Sequence, residues 1–206
     1  MRFIIFIILF IFSLGSNAQE TAWLSKYDKN GLRVFVRGKK TNEYKAELQV
    51  EAGIQSCLAL MQDIDVHTHF MGAVKEIGIL KQYTNQHFLL RTIIGMPFPM
   101  KDQELISEAI FKVMSNKSSV KVEIKAKPNA IPQGDFKRMN IADGFWLFEK
   151  LADNKTKITY QLKFEESNAP NWLVNYFVLD SPIKTMTGFA KHVIKDKYKT
   201  MRVEWL

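Results

Sequence analysis

The 206-residue chain carries a single cysteine, Cys57, so no disulfide can form within it and the core must hold the fold unaided. It contains no G-x-S-x-G, H-E-x-x-H, G-x-x-x-x-G-K or G-x-G-x-x-G. Hydrolase, zincin, nucleotide and dinucleotide readings therefore lose their sequence support. Internal repeats, low-complexity tracts and linkers rich in proline, glycine or serine are missing too, which leaves one domain. No window interleaves basic and aromatic residues as a nucleic-acid groove does, so nucleic acid is not an expected partner.

Only one long apolar run is present, and it opens the chain. Arg2 precedes FIIFIILFIF, and the small residues of Ser16-Asn17-Ala18 stand before Gln19. This is the pattern of a signal peptide over residues 1–18. A membrane anchor fits less well, because Ser13, Gly15, Ser16 and Asn17 end the run early. No cysteine lies near the cut to carry a lipid. The expected mature chain is residues 19–206, exported to a periplasmic or extracellular space. Losing Arg2 leaves 28 basic against 21 acidic residues, a net charge of +7. Such a surface suits an anionic membrane or another polyanion, and equally suits plain solubility.

Periodicity supplies the elements. Gly31–Gly38 reads as a short strand. Glu43–Glu51 alternates, with Tyr44, Ala46, Leu48 and Val50 on one face. Ile54, Cys57, Leu58, Met61 and Ile64 follow at helical spacing, which makes Cys57 a buried helix residue. VKEIGILKQY and HFLLRTII form a hairpin around Thr84-Asn85-Gln86, and GFWLFEK and TKITYQLKF form another around Ala152-Asp153-Asn154. Between these pairs lie DQELISEAIFKVM and VKVEIKA. The last element, Asn171–Thr200, has an apolar stripe through Trp172, Tyr176, Leu179, Ile183, Met186, Ala190 and Val193. Pro182 interrupts it, either as a kink or as the first residue of a fresh helix capped by Ser181. Strands followed by a long amphipathic helix imply an α+β fold, a one-sided antiparallel sheet covered by that helix.

MPFPMKDQELI, Met96–Ile106, sets two prolines between two strands. Proline cannot donate to a ladder, and each proline pushes its predecessor into extended geometry. A stiff extended corner is expected there. With that corner in place the chain resembles the START family of lipid-transfer domains over nearly all of its mature length. WLSKYDKNGLRVFVR resembles the family's opening, where a tryptophan helix precedes a first strand. ALMQDIDVHTHFMGAVKEIGIL, MPFPMKDQEL, FKRMNIADGFWLFEK and NAPNWLVNYFV resemble four later segments in the family's order. Phe70 and Phe98 stand where the family often has tryptophan, Lys101 stands for arginine, and Glu165-Glu166-Ser167-Asn168 replaces a glycine turn. Asn168 could supply a left-handed backbone there.

The resemblance implies a helix-grip fold, a curved antiparallel sheet wrapped around a long C-terminal helix. It also implies an internal cavity for a lipid or sterol-like hydrophobic ligand, no cofactor and a monomer. On that reading the candidate lining residues are Leu105, Phe111, Trp146, Tyr160, Leu162, Leu179, Ile183, Met186, Phe189 and Ala190. The alternative is a helix-grip enzyme, a cyclase or hydrolase acting on an apolar substrate, and a third reading is a fully packed domain used for protein contacts.

Three polar features remain. DIDVHTH, Asp63–His69, places four potential metal ligands in seven residues, but a solvated loop is the expected reading. Arg91 shares a strand face with His87, Leu89 and Ile93, and is expected outside because Phe88, Leu90 and Ile94 make the better core face. Lys184, Lys191, Lys195, Lys199 and Arg202 form a basic row on the last helix that could meet an anionic membrane. The triplets at Asn116 and Asn154 match glycan acceptors at chance frequency. If residues 1–18 are a signal peptide, N-terminal sequencing of exported protein reads from Gln19. A read beginning at Met1 rejects the cleavage.

Overall fold

The computed structural model describes residues 22–38, 41–115, 118–165 and 170–206. The leader, the Asn116 triplet and the turn at Glu166–Asn168 lie outside the described residues. The strands are β1 (Leu24–Lys29), β2 (Leu32–Arg37), β3 (Thr41–Val50), β4 (Val74–Thr84), β5 (His87–Ile94), β6 (Gln103–Val113), β7 (Ser119–Ala126), β8 (Lys137–Arg138), β9 (Ala142–Ala152) and β10 (Lys155–Glu165). Helices α1 (Ile54–Gln62) and α2 (His67–Phe70) sit between β3 and β4. A C-terminal helical path runs through α3 (Asn171–Asn175), a π-helical turn at Tyr176–Asp180, and α4 (Ser181–Val193), and α5 (Asp196–Thr200) follows. The described strands make one sheet in the order β1-β2-β3-β10-β9-β7-β6-β5-β4, with β8 parallel to β6 and every other pairing antiparallel.

The opening departs from expectation. The segment around Trp23 is strand β1, not a helix. Asn30 and Gly31 both take positive φ, 52° and 76°, and close a two-residue hairpin between Lys29 and Leu32. An Asn-Gly pair adopts that geometry at little cost, so a hairpin wins over a helix. The proline corner is also tighter than an extended segment. The Met100 N–H donates to the Pro97 carbonyl at 3.0 Å, and the Asp102 carboxylate accepts the Met96 N–H at 2.9 Å.

Ser181 does not cap a fresh helix ahead of Pro182. Asp180 and Ser181 both hold helical dihedrals, and the Ser181 N–H donates five residues back to the Tyr176 carbonyl. Pro182 has no N–H to give, and the π turn lets the chain pass it without breaking. The path ends at Val193, where the apolar stripe ends and short of the Thr200 expected from the sequence, and Lys195 opens the separate α5.

The alternation read for β3 sets its buried face. Tyr44, Ala46, Leu48 and Val50 are all buried. On α4 it is Met186, Phe189 and Val193 that are fully enclosed, with Phe189 5.6 Å from Phe70 and 5.7 Å from Trp146. Phe70, at 1% exposure, thus fills the tryptophan position as a core anchor. Gly72 lets α2 approach α4. A Cβ there would lie 2.5 Å from the Ser181 carbonyl oxygen, and the glycine N–H donates to Thr185 Oγ1.

Arg91 lies on the sheet face away from the cavity and pairs with Glu104 at 2.6 Å. Glu104 also binds Arg138, whose guanidinium donates to the carbonyls of Pro128, Ile131 and Pro132. All five guanidinium N–H groups are spent, and the loop ahead of β8 is tied to β6 through this one side chain. Burial alone would raise the Glu104 carboxyl pKa. The hydrogen bonds from Arg138 and then Arg91 outweigh it and hold the carboxyl below its ordinary value. Arg138→Met leaves the buried Glu104 with Arg91 as its remaining charged partner and takes the donor from three loop carbonyls. It should therefore lower stability by about 1–3 kcal/mol in denaturant unfolding, and an unchanged midpoint would show the tie to be solvated.

Candidate ligand-binding cavity

A cavity of about 510 Å³ opens between the concave face of the sheet and the C-terminal helical path. Its wall is built from rungs that cross the strands. One rung runs Phe88, Ala109, Ile124, Gly144, Leu162, Tyr44. The next runs Phe111, Val122, Trp146, Tyr160, Ala46. Below them Val120, Phe148, Ile158 and Leu48 are packed solid against α1 and α4, which closes the floor. Leu173, Val174, Phe177, Ser181 and Thr185 form the roof, and Met96, Gln103, Lys137, Asn140 and Glu165 stand at the mouth end. All five come from the sheet end where β5 stops, β6 and β9 begin, and β10 stops.

Of the ten residues singled out from the sequence, Leu105, Phe111, Trp146, Tyr160 and Leu162 line this cavity. The five from the last helix do not. Met186 and Phe189 are sealed in the packed core, while Leu179, Ile183 and Ala190 pack at its margin. The π turn is the reason. It adds a residue to one turn, which rotates the helix so that the Val174, Phe177, Ser181 and Thr185 side looks into the hollow. A run of helical spacing carries no mark of that rotation, so the roof residues were missed. The strand face Phe88, Leu90, Ile94 was legible, and all three line the cavity.

DIDVHTH is no solvated loop. Asp63 accepts from Lys197 Nζ at 2.5 Å and from the Tyr198 hydroxyl at 2.7 Å, tying α5 to the end of α1. His67 is 4% exposed, and its Nε2 lies 3.1 Å from the Met61 carbonyl oxygen at the end of α1. Burial pushes the His67 imidazole down to about 4, against the opposing pull of the Met61 and Leu60 carbonyls and of Asp63. The ring is therefore neutral near pH 7, with Nε2 as donor. Among the described residues no group of His, Cys, Asp or Glu could hold a metal ion.

The polar inventory of the cavity is short. Tyr160 stacks on Trp146 at 4.0 Å and meets Tyr44 edge-on at 5.3 Å. Burial raises both phenols, Tyr160 to about 12, so both stay protonated. Arg138 reaches the lining with its donors already spent. Two lining residues keep a buried polar atom without a partner among the described residues, His67 Nδ1 and Trp146 Nε1. Leaving such an atom unpaired costs about 1–3 kcal/mol.

No family model matches the sequence. An uncharacterized protein of Pseudomonas aeruginosa is 26% identical over 184 residues, covering 86% of this chain and 90% of that one. The STAR-related lipid transfer protein of Xanthomonas axonopodis superposes with a TM-score of 0.75 at 22% identity, over 84% of this chain and 99% of that structure. Human STARD10 gives 0.70 at 18% identity, over 85% of this chain and 74% of that structure. The chain has the helix-grip fold of START domains.

Buried neutral His67 makes acid stability a test of the site. Its folded pKa, about 4, lies below the ordinary value of 6.5. The unfolded chain therefore binds the proton first as pH falls. This contribution is intact above pH 6.5 and is lost between 6.5 and 4, by about 3 kcal/mol in total. Unfolding midpoints measured across that range should fall for the wild type and stay flatter for His67→Gln. Equal slopes would mean that His67 titrates as if in water.

Proposed function

We propose that this protein is an exported carrier that holds one lipid or other apolar molecule in the cavity between sheet and helix. The observation that carries the proposal is the cavity itself, about 510 Å³ and walled mainly by aliphatic and aromatic side chains. An unfilled hollow of that size forfeits the packing contacts that stabilise a core, so a protein keeps one for an occupant. One of the structures of this fold named above is a STAR-related lipid transfer protein, which supports the reading by analogy. Export rests on the pattern of residues 1–18.

The enzyme reading has less behind it. General acid–base groups work best with pKa values near the working pH. In this cavity His67 sits near 4 and the two tyrosines are raised, so none is poised near neutrality.

A carrier must present its mouth to the surface that supplies its ligand. The mouth end carries exposed apolar side chains: Phe98 at 95%, Trp172 at 49% and Met100 at 43%. The basic row on the last helix is less well placed. It is split between α4 and the segment after it, and Lys199 is engaged with Asp196 and Arg202 with two carbonyls. We therefore assign the peripheral contact with an anionic membrane to the mouth rim, helped by the exposed Lys101 and Lys137.

Native mass spectrometry of protein taken from its source, followed by extraction, should show one apolar molecule per chain. Val174→Trp should fill the roof, keep the fold and abolish that retention, whereas Met186→Trp should overpack the core at roughly 1–3 kcal/mol. Phe98→Ser with Trp172→Ser should slow ligand transfer between anionic vesicles without emptying the cavity. A wild-type protein that retains nothing from source and takes up nothing from vesicles would end the carrier reading.

A further inference from the structure

A sheet that does not close leaves two edge strands, and here they are β1 and β4. An edge strand presents N–H and C=O groups with no ladder partner, a template for another strand. The two edges are not alike. β1 has six residues, a bulge at Lys26, and the charges of Lys26 and Lys29, which keep other strands off. β4 has eleven residues, and along it Ile79, Leu80 and Tyr83 stand exposed. No described strand lies beyond it.

β4 is bulged too, at Lys75, Leu80 and Tyr83. The outer bulges bracket the stretch Glu76–Gln82, and the middle one sets its faces. Glu76, Gly78 and Lys81 sit opposite Ile93, Arg91 and Leu89, so they share the outer face of the sheet. Ile77 and Ile79 sit opposite Thr92 and Leu90 on the inner face. Without the extra residue at Leu80, Lys81 would face inward. The two outer charges have opposite sign and little to hold them. Glu76 is exposed, with Arg91 4.0 Å away, and Lys81 lies over the Tyr83 ring and meets no carboxylate among the described residues. Between them stands Gly78. A glycine inside a strand weakens it, and marks a bulge, a bend or the close approach of another backbone. The bulges fall at other residues, and a Cβ on Gly78 would have nothing within 4 Å, so a single copy gives no reason for the glycine.

We propose that the β4 edge is a dimer interface, taken by β4 of a second copy in antiparallel register about a two-fold axis at Gly78. This departs from the monomer that the resemblance implies. In that register Gly78 lies opposite Gly78 of the second copy. Glu76 lies opposite Lys81, and Ile77 opposite Ile79, and the two-fold makes each of these pairs twice. The axis stands normal to the sheet, so outer face continues into outer face. Opposite charges across a ladder attract and like charges repel. Of the two-fold registers open to this stretch, only the one centred on Gly78 brings Glu76 and Lys81 together. The exposed Ile79 gains an apolar cross-strand neighbour, and the bulges at Lys75 and Tyr83 end the pairing on each side. β4 begins at the mouth end, beside the end of β5. Antiparallel pairing therefore points the two mouths in opposite directions. The dimer does not rest on the carrier reading, which needs only one chain.

The test is sedimentation of the chain from Gln19 across micromolar concentrations, where wild type should reach a dimer. Glu76→Lys sets lysine opposite lysine twice and should weaken association about tenfold, as should Lys81→Glu. The exchange of both, Glu76→Lys with Lys81→Glu, remakes the two pairs and should restore the wild-type affinity. Gly78→Cys reports the register. Opposite Cα atoms in paired strands lie about 4.5–5.5 Å apart, within reach of a disulfide, so mild oxidation should link two copies. Lys81→Cys is the control. In this register its two copies lie four ladder positions apart, roughly 13 Å, and should not link. The open space at Gly78 admits the new side chain, and Cys57 is buried. A chain that stays monomeric at every concentration, with no cross-link through Gly78→Cys, overturns the inference. So does a dimer that ignores both single charge reversals, and so does one that links through Lys81→Cys as readily as through Gly78→Cys. The wild-type sedimentation stands whether or not a variant folds.

Discussion

A helix is about 10–12 Å across with its side chains, and strands lie about 4.7–4.9 Å apart. Nine strands laid side by side are therefore about 40 Å wide, several times the width of the single long helix that has to cover their apolar face. Coiling the sheet around the helix reduces the mismatch without removing it. The chain resolves it by spending its cover at one end. There α1 and α4 pack onto the rung Val120, Phe148, Ile158 and Leu48, α5 packs on α1, and Phe70 and Phe189 meet edge-to-face at 5.6 Å. At the other end only the first turns of the helical path roof the sheet, and the hollow is what remains. Cavity and core are two halves of one apolar face, divided by where the helices run out.

That arrangement sets the demands on everything around the mouth. The strand ends that form it would splay if left to themselves. Asp102 fastens the proline corner by taking both the Met96 N–H and Lys75. Arg138 fastens the loop before β8 by reading three of its carbonyls while anchored on Glu104. A buried guanidinium is an expensive tie, since its desolvation must be offset by good geometry at every donor. Here every donor is matched, so the tie confers a defined shape on a segment otherwise rich in proline and short of ladder partners.

The same economy shows in the cavity's chemistry. Its buried acids and bases are either paired off or held neutral by burial, and the sheet's many ion pairs, such as Arg33 with Glu47 and Lys112 with Glu123, lie on the outer face. The titratable groups inside the cavity, His67 held down to about 4 and two tyrosines raised by burial, are not poised to exchange protons near neutral pH.

Much of the fold was legible residue by residue. Period-two alternation gave β3 and the inner face of β5, turn chemistry gave the hairpins at Asn85 and Asp153, and five short resemblances in order pointed to the helix-grip architecture. Local rules reach that far because strand faces and turns depend on neighbours a few positions away. The opening hairpin was within reach too, through Asn30-Gly31, but the likeness to a helical start outweighed it. The identity of the roof was not within reach. Leu179, Ile183, Met186 and Ala190 make as good a helical stripe as Val174, Phe177, Ser181 and Thr185. Which stripe faces the hollow depends on a π turn that accommodates Pro182 and on how far α2 can press against α4 at Gly72. Likewise His67 and Asp63 read as loop residues until α1 and α5 closed over them. The sequence by itself determined the elements, their apolar faces and the absence of familiar catalytic motifs. Only the tertiary structure decided the rotation of the last helix and the burial of the polar atoms, because both are set by contacts between segments more than a hundred residues apart, as between Gly72 and Thr185.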